Sequence, residues 1–267
     1  MAKGKAKTNY LHREGVVGHD VAPDYGFLYQ TSLVKDPKWN IGDRVVLGDG
    51  REFKYGKSYN ALSATRGCEI FVLGVNSYSV LGATTAKGGK TLSVAAVAHD
   101  VLAEDELRGG YALIYGSDGD DTDTQFRGII GNDVSADAAA FKIYLDAGLV
   151  KEVTVANYCE IFQNPFAALR LSTTTVEDFP KAGVPAVEVS AGDMYFWFQF
   201  RGPIWLPPQA GLIDEQIGAM WRHDGSLGDI STTLSATACI AEAMTQYAGH
   251  RLIGDRDGNG PLFNLQG

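Results

Sequence analysis

IGDRVVLGDGREFKYGK, residues 41 to 57, is the stretch on which the fold turns. Arg44-Val45-Val46-Leu47 is an apolar run with two β-branched residues. Gly48-Asp49-Gly50 supplies the positive φ angles that a tight hairpin needs. From Arg51 to Tyr55 the pattern alternates, with Phe53 and Tyr55 on one face and charges on the other. Two short strands joined at an Asp-Gly turn are predicted, with no catalytic pattern in them.

Downstream the same style repeats. Strands are predicted at Glu69–Leu73, Thr91–Val97, Tyr111–Tyr115, Phe126–Ile130, Phe141–Leu145, Val153–Ile161, Phe166–Leu171 and Ala186–Val189. Further strands are predicted at Met194–Phe200, Ile217–Trp221 and Thr232–Ile240, although Ala236–Gln246 also reads as a helix. One or two helical turns are expected over Asp100–Leu107, capped by Asp100. Gly202-Pro203 is expected to end the Met194 strand, and the last ten residues read as loop. With 32 Gly and only 9 Pro in 267 residues, turns recur at roughly ten-residue spacing, the mark of an all-β sandwich or barrel with minor helix. Both faces of MYFWFQF (Met194–Phe200) are apolar, so this strand is covered on both sides, in a core or at a subunit interface.

Upstream, residues 1–39 read as an extended N-terminal arm. MAKGKAKTN is basic and aperiodic, and the aromatics that follow stand singly, so the segment cannot bury enough to fold alone. Tyr25, Phe27, Tyr29 and Trp39 are expected to lie against the body or, in preference, a neighbouring subunit. The body divides into halves 40–149 and 150–267, as one domain or two.

Formal net charge is −9; the first thirteen residues carry +4 and no acid, which leaves −13 for the rest. An acidic body repels nucleic acid and anionic membrane. Cys68, Cys159 and Cys239 are far apart and odd in number, so reduced, buried thiols and cytoplasmic synthesis are expected. Met1–Arg13 lacks the apolar core of a secretory signal, and Met194–Pro208 is too interrupted to span a bilayer.

Catalytic patterns are sparse. Lys87-Gly88-Gly89-Lys90-Thr91 ends like a phosphate loop but has Thr84 where the loop needs Gly. Two acidic loops, 118–123 and 255–260, have calcium-like spacing; the second matches half of an EF-hand and has Gln266 where a bidentate Glu is required. Asp, Asn and Gly are also ordinary turn formers. The five histidines show no ligand spacing, and no nucleophile motif occurs. No enzyme, cofactor or metal is expected. Arg44 and Arg51 are contact or solvated charges. Tyr195, Trp197, Trp205 and Trp221 are core or interface aromatics, with a sugar-stacking platform as the alternative.

Taken in order, several pieces resemble a family of tailed-bacteriophage virion proteins, the capsid decoration or cement proteins. They are the arm, Gly42-x-Arg44 with the Asp49-Gly50-Arg51-x-Phe53-Lys54-Tyr55 hairpin, and Asp105-x-Leu107-x-Gly109-Gly110 before a strand. Asn164-Pro165-Phe166 and Gly183-Val184-Pro185 follow. Last comes Ala191-Gly192-x-Met194-Tyr195-x-Trp197-x-Gln199-x-Arg201-Gly202-Pro203, whose first tyrosine falls one place later than in the family's usual form. The resemblance covers roughly residues 40 to 250. It implies a non-enzymatic, β-rich homotrimer on an icosahedral shell, with the major capsid protein as partner and the virion surface as location. Alternatives are a head-fibre or tail component, and a carbohydrate-binding β-domain or glycosidase.

Overall fold

The computed structural model describes residues 25–71, 79–97, 99–116, 124–172, 180–206, 218–222, 224–229, 244–253 and 262–266. It is nearly all β, with sheets that curl into half-barrels. The described residues gather into two compact units: one draws on 25–71 together with 169–266, the other on 79–168.

The larger unit begins with a 3-10 helix, Gly26–Tyr29, followed by β1 (Arg44–Val46) and β2 (Glu52–Lys57). These two strands form the expected hairpin, with Val45 opposite Phe53. Its turn is closed by a hydrogen bond from the Leu47 amide to the Arg51 carbonyl, and by Asp49 Oδ1, which accepts from the Arg51 amide at 3.0 Å. The remaining strands of this unit are β3 (Cys68–Ile70), β10 (Leu169–Leu171), β11 (Lys181–Pro185), β12 (Tyr195–Trp205), β13 (Gly218–Arg222), β14 (Leu227–Asp229), β15 (Met244–Ile253) and β16 (Leu262–Leu265). They order as β10-β3-β11-β12-β16-β15-β13-β14, with β2 joined to β12.

β12 is the hub. Its first half lies between β2 and β11, and its second half pairs with β16. Gly202-Pro203 therefore does not end this strand. The ladder shifts register between Gln199 and Arg201, and Gly202 takes φ +91°, where a side chain would run into the Gly50 and Arg51 backbone of the hairpin turn. Pro203, which has no amide to donate, is accommodated opposite Asn264.

The smaller unit contains β4 (Ser79–Val80), β5 (Thr91–Val94), β6 (Tyr111–Tyr115), β7 (Gln125–Asn132), β8 (Phe141–Leu145) and β9 (Tyr158–Phe162). All are antiparallel neighbours in the order β4-β9-β6-β7-β8-β5. Leu92, Val94, Ala112, Ile114, Ile129, Ile143, Leu145 and Ile161 point from one face into a common core. The period-two pattern of YALIY and FKIYL places Ala112, Ile114, Ile143 and Leu145 there.

Further expectations are corrected. Asp100–Leu107 is a turn rather than a helix: Asp105 sits at φ +61°, and the Leu107 amide donates to Asn132 Oδ1 at 2.8 Å instead of to a helical carbonyl. The strand placed at Ala186–Val189 lies earlier, at Lys181–Pro185, with only a single bridge at Val189. The strand placed at Val153–Ile161 starts at Tyr158, because Asn157 Oδ1 accepts the Thr154 amide and closes a turn first. The terminal loop contains β16, and Met244–Gln246 belongs to β15 rather than to a helix. The strand proposed at Thr232–Ile240, Val72 and Leu73, and both acidic loops lie outside the described residues, as does Cys239.

Candidate functional site

Two aromatic groupings stand out, a packed cluster in the larger unit and an exposed face in the smaller. In the larger unit, β12 carries Tyr195 and Trp197, and β2 places Tyr55 directly across from Trp197. Residues 25–39 run alongside: Ser32 and Tyr195 exchange backbone hydrogen bonds of 3.0 and 2.7 Å. This delivers Phe27 and Trp39 onto Trp197. The Trp39 and Trp197 rings meet edge to face at 4.9 Å, Phe27 stacks on Trp39 at 5.6 Å, and Tyr55 stacks on Tyr195 at 5.9 Å. Trp197 is only 2% exposed and Trp39 is buried as well. Phe27, Trp39, Tyr195 and Trp197 therefore form part of a packed cluster inside one chain, with Tyr25 against its flank. An open hollow of about 350 Å³ beside the cluster is lined by Thr31, Val34, Asp36, Pro37, Tyr55 and Tyr195. Burial raises the Tyr55 phenol above its ordinary pKa, and the Asp36 amide donates to its oxygen at 3.3 Å.

The other expected contact residues stay at the surface. Trp205, at the far end of β12, is 50% exposed, and Tyr29 is exposed beside it around a shallow hollow of about 230 Å³ that also takes in Arg51 and Ile204. Arg51 donates to Asp49 Oδ2 at 2.7 Å and to the Tyr29 hydroxyl at 3.3 Å. Partial burial opposes ionisation of Asp49, but the Arg51 backbone and guanidinium bonds outweigh it and lower the carboxyl pKa. Arg44 pairs with Glu52 at 2.5 Å. Burial and the neighbouring Arg44 charge lower the Lys54 pKa, and its ammonium sits 4.4 Å from the centre of the Phe200 ring.

The surface in the smaller unit was not among the expected contacts. In β6 the inward residues are Ala112 and Ile114, so Tyr111, Leu113 and Tyr115 face outward. The ladder sets Phe162, Glu160 and Tyr158 of β9 opposite these three in turn, and Phe126 of β7 opposite Leu113. Three adjacent strands thus present a continuous aromatic face with one carboxylate, Glu160, inside it. Tyr111 and Phe126 stack at 5.2 Å and 16°, and Tyr115 and Tyr158 at 5.9 Å and 29°. Phe126 is 55% exposed, Tyr111 39% and Phe162 36%. Burial, then the Glu160 charge, raise the Tyr115 pKa. An antiparallel sheet with one face on its core ordinarily turns polar residues to solvent on the other. The signal was legible in Tyr111–Tyr115, which is apolar at both parities just as Met194–Phe200 is.

The buried ionisable groups have structural partners. Glu69 on β3 lies in register between Arg170 on β10 and Lys181 on β11. Its carboxylate receives Arg170 Nε at 2.6 Å and Lys181 Nζ at 2.8 Å, and Lys181 also donates to Ser172 Oγ at 2.9 Å. The ring nitrogens of His99 face the backbone carbonyls of Asp100 and Ala139. Among the described residues no cluster of three or more His, Cys, Asp or Glu could hold a metal, and no helix is long and apolar enough to cross a membrane.

Comparisons with family models, with curated proteins and with solved structures gave no match.

Proposed function

We propose that this chain is a non-enzymatic assembly protein of a phage particle, a capsid decoration protein that acts as a homotrimer at the virion surface and bridges neighbouring capsomers. The observation that carries this reading is the outer face of β9, β6 and β7. A contiguous aromatic sheet face costs free energy while it stays in water, at roughly 25 cal/mol per Å² of apolar surface, and marks a place where another surface belongs. Its stacked ring pairs are already held by their neighbours, so covering them loses little side-chain freedom. The ordered motifs from Gly42 to Pro203 supply the family resemblance, with the major capsid protein as the implied partner.

The test is compositional. Purified particles of the phage encoding this chain are expected to contain it in copy numbers that are multiples of three and scale with the shell. Particles assembled without it are expected to release their genome at a lower temperature. A few copies at one vertex would make it a head-fibre or tail component instead. Its absence from purified particles would overturn the proposal.

A further inference from the structure

The aromatic face of β9, β6 and β7 has a second property besides being apolar: the charge on and around it is negative. Glu160 stands among the rings. The Asp146 carboxylate sits over Gly128, which lies opposite Tyr111 in the ladder; a Cβ at Gly128 would come within 2.7 Å of that carboxylate oxygen. The one cation on these described strands, Arg127, is engaged by the carbonyls of Phe126 and Gly148. Across residues 72–168 there are six Lys and Arg against thirteen Asp and Glu, a net of −7 in a chain whose total is −9. The face therefore fits an occupant that brings apolar side chains and positive charge together.

An identical face on another copy brings the wrong charge, since Glu160 and Asp146 would meet their own equivalents. The chain itself holds a segment with the right chemistry. Residues 1–13, MAKGKAKTNYLHR, carry Lys3, Lys5, Lys7 and Arg13, no acid, and the adjacent apolar pair Tyr10-Leu11. Twenty-four residues precede Tyr25, and a chain of that length reaches as far as ~80 Å when extended. The five-residue length of β6 and β9, with β7 alongside, makes a face only about 15 Å in each direction. We propose that this face is the docking site for the N-terminal segment of a second copy of the chain. Tyr10-Leu11 supplies the apolar side chains that suit the rings of Tyr111, Phe126 and Phe162, and Lys3, Lys5, Lys7 and Arg13 supply charge opposite to that of Glu160 and Asp146. This rests on the reading that the chain assembles with its own copies, but it is tested without any particle.

Sedimentation velocity on the full chain, over a range of protein concentrations and from low to high salt, provides the test. Association is expected and is expected to weaken as salt rises. Replacing Lys3, Lys5, Lys7 and Arg13 together by Glu is expected to weaken it by at least about tenfold, as is Phe126→Asp at a site exposed enough to leave the fold intact. Glu160→Lys combined with the charge-reversed segment is expected to recover association that either change alone loses. Three results would overturn the docking: a chain that stays monomeric throughout, association indifferent to the charge-reversed segment, or a combined variant as weak as its parents. Loss with Phe126→Asp alone would assign the face to a different occupant and would leave the virion role standing.

Discussion

At Glu69 a carboxylate with 1% side-chain exposure lies between two cations on neighbouring strands. Burying three charges is costly, and the arrangement holds because the strand register brings their hydrogen bonds to one point. Removing one member leaves the others uncompensated: Glu69→Ala is expected to cost about 3–5 kcal/mol by urea unfolding. Exchanging all three for apolar residues of similar volume is expected to cost far less. A loss with Glu69→Ala below about 1 kcal/mol would show that water reaches the site. The thiols make a second test. Burial pushes both Cys68 and Cys159 up to about 12, against an ordinary value of 9.0. Both stay protonated in the folded chain after the unfolded chain has begun to lose the same protons. Their contribution is therefore constant below about pH 9 and is lost as pH rises toward 12, at about 1.4 kcal/mol per pH unit for each thiol. The Cys68→Ala, Cys159→Ala double variant is expected to show a shallower alkaline decline in melting temperature; an unchanged slope would contradict this.

β12 is the element on which the larger unit depends, and its two ends behave differently. Trp197 is enclosed by Phe27, Trp39 and Tyr55, while Trp205 is half in water. Trp197→Ala is expected to destabilise by about 3–5 kcal/mol, and Trp205→Ala by about 1 kcal/mol or less. Equal losses in thermal unfolding would mean that Trp205 is covered in the folded chain. The strength of this strand was legible in the sequence, because Met194–Phe200 is apolar at both parities, and so was the hairpin at Arg44–Lys57. What stayed hidden has physical reasons. β11 contains a lysine, a glycine and a proline, and reads as a strand only once Glu69 is known to neutralise Lys181. The second half of β12 crosses a Gly-Pro pair that local rules treat as a stop. Trp39 was expected on a neighbouring subunit in preference to the body, and Trp197 in a core or at an interface; the Ser32–Tyr195 backbone pairing brings the two together within one chain. The outer face of β6 was legible only in part: Tyr111–Tyr115 is apolar at both parities, but the order β9-β6-β7, which joins scattered tyrosines into one surface, has no local signature.

On the scale of the whole chain, charge and apolar surface are unevenly placed. The segment 72–168 carries a net charge of −7 and the aromatic sheet face, while residues 1–13 carry four basic residues and no acid. The segment leaves at Phe71 and the chain rejoins the larger unit at Leu169, without a linker-like shift in composition at either point. Such a distribution suits a protein completed by its neighbours, which is the proposed role on a capsid. A density map of the assembled particle tests that role most directly. Trimers of this chain are expected to repeat over the shell, with the rings of Tyr111, Phe126 and Phe162 covered by protein. A particle without the chain, or one on which that face remains open to solvent in every copy, would contradict it.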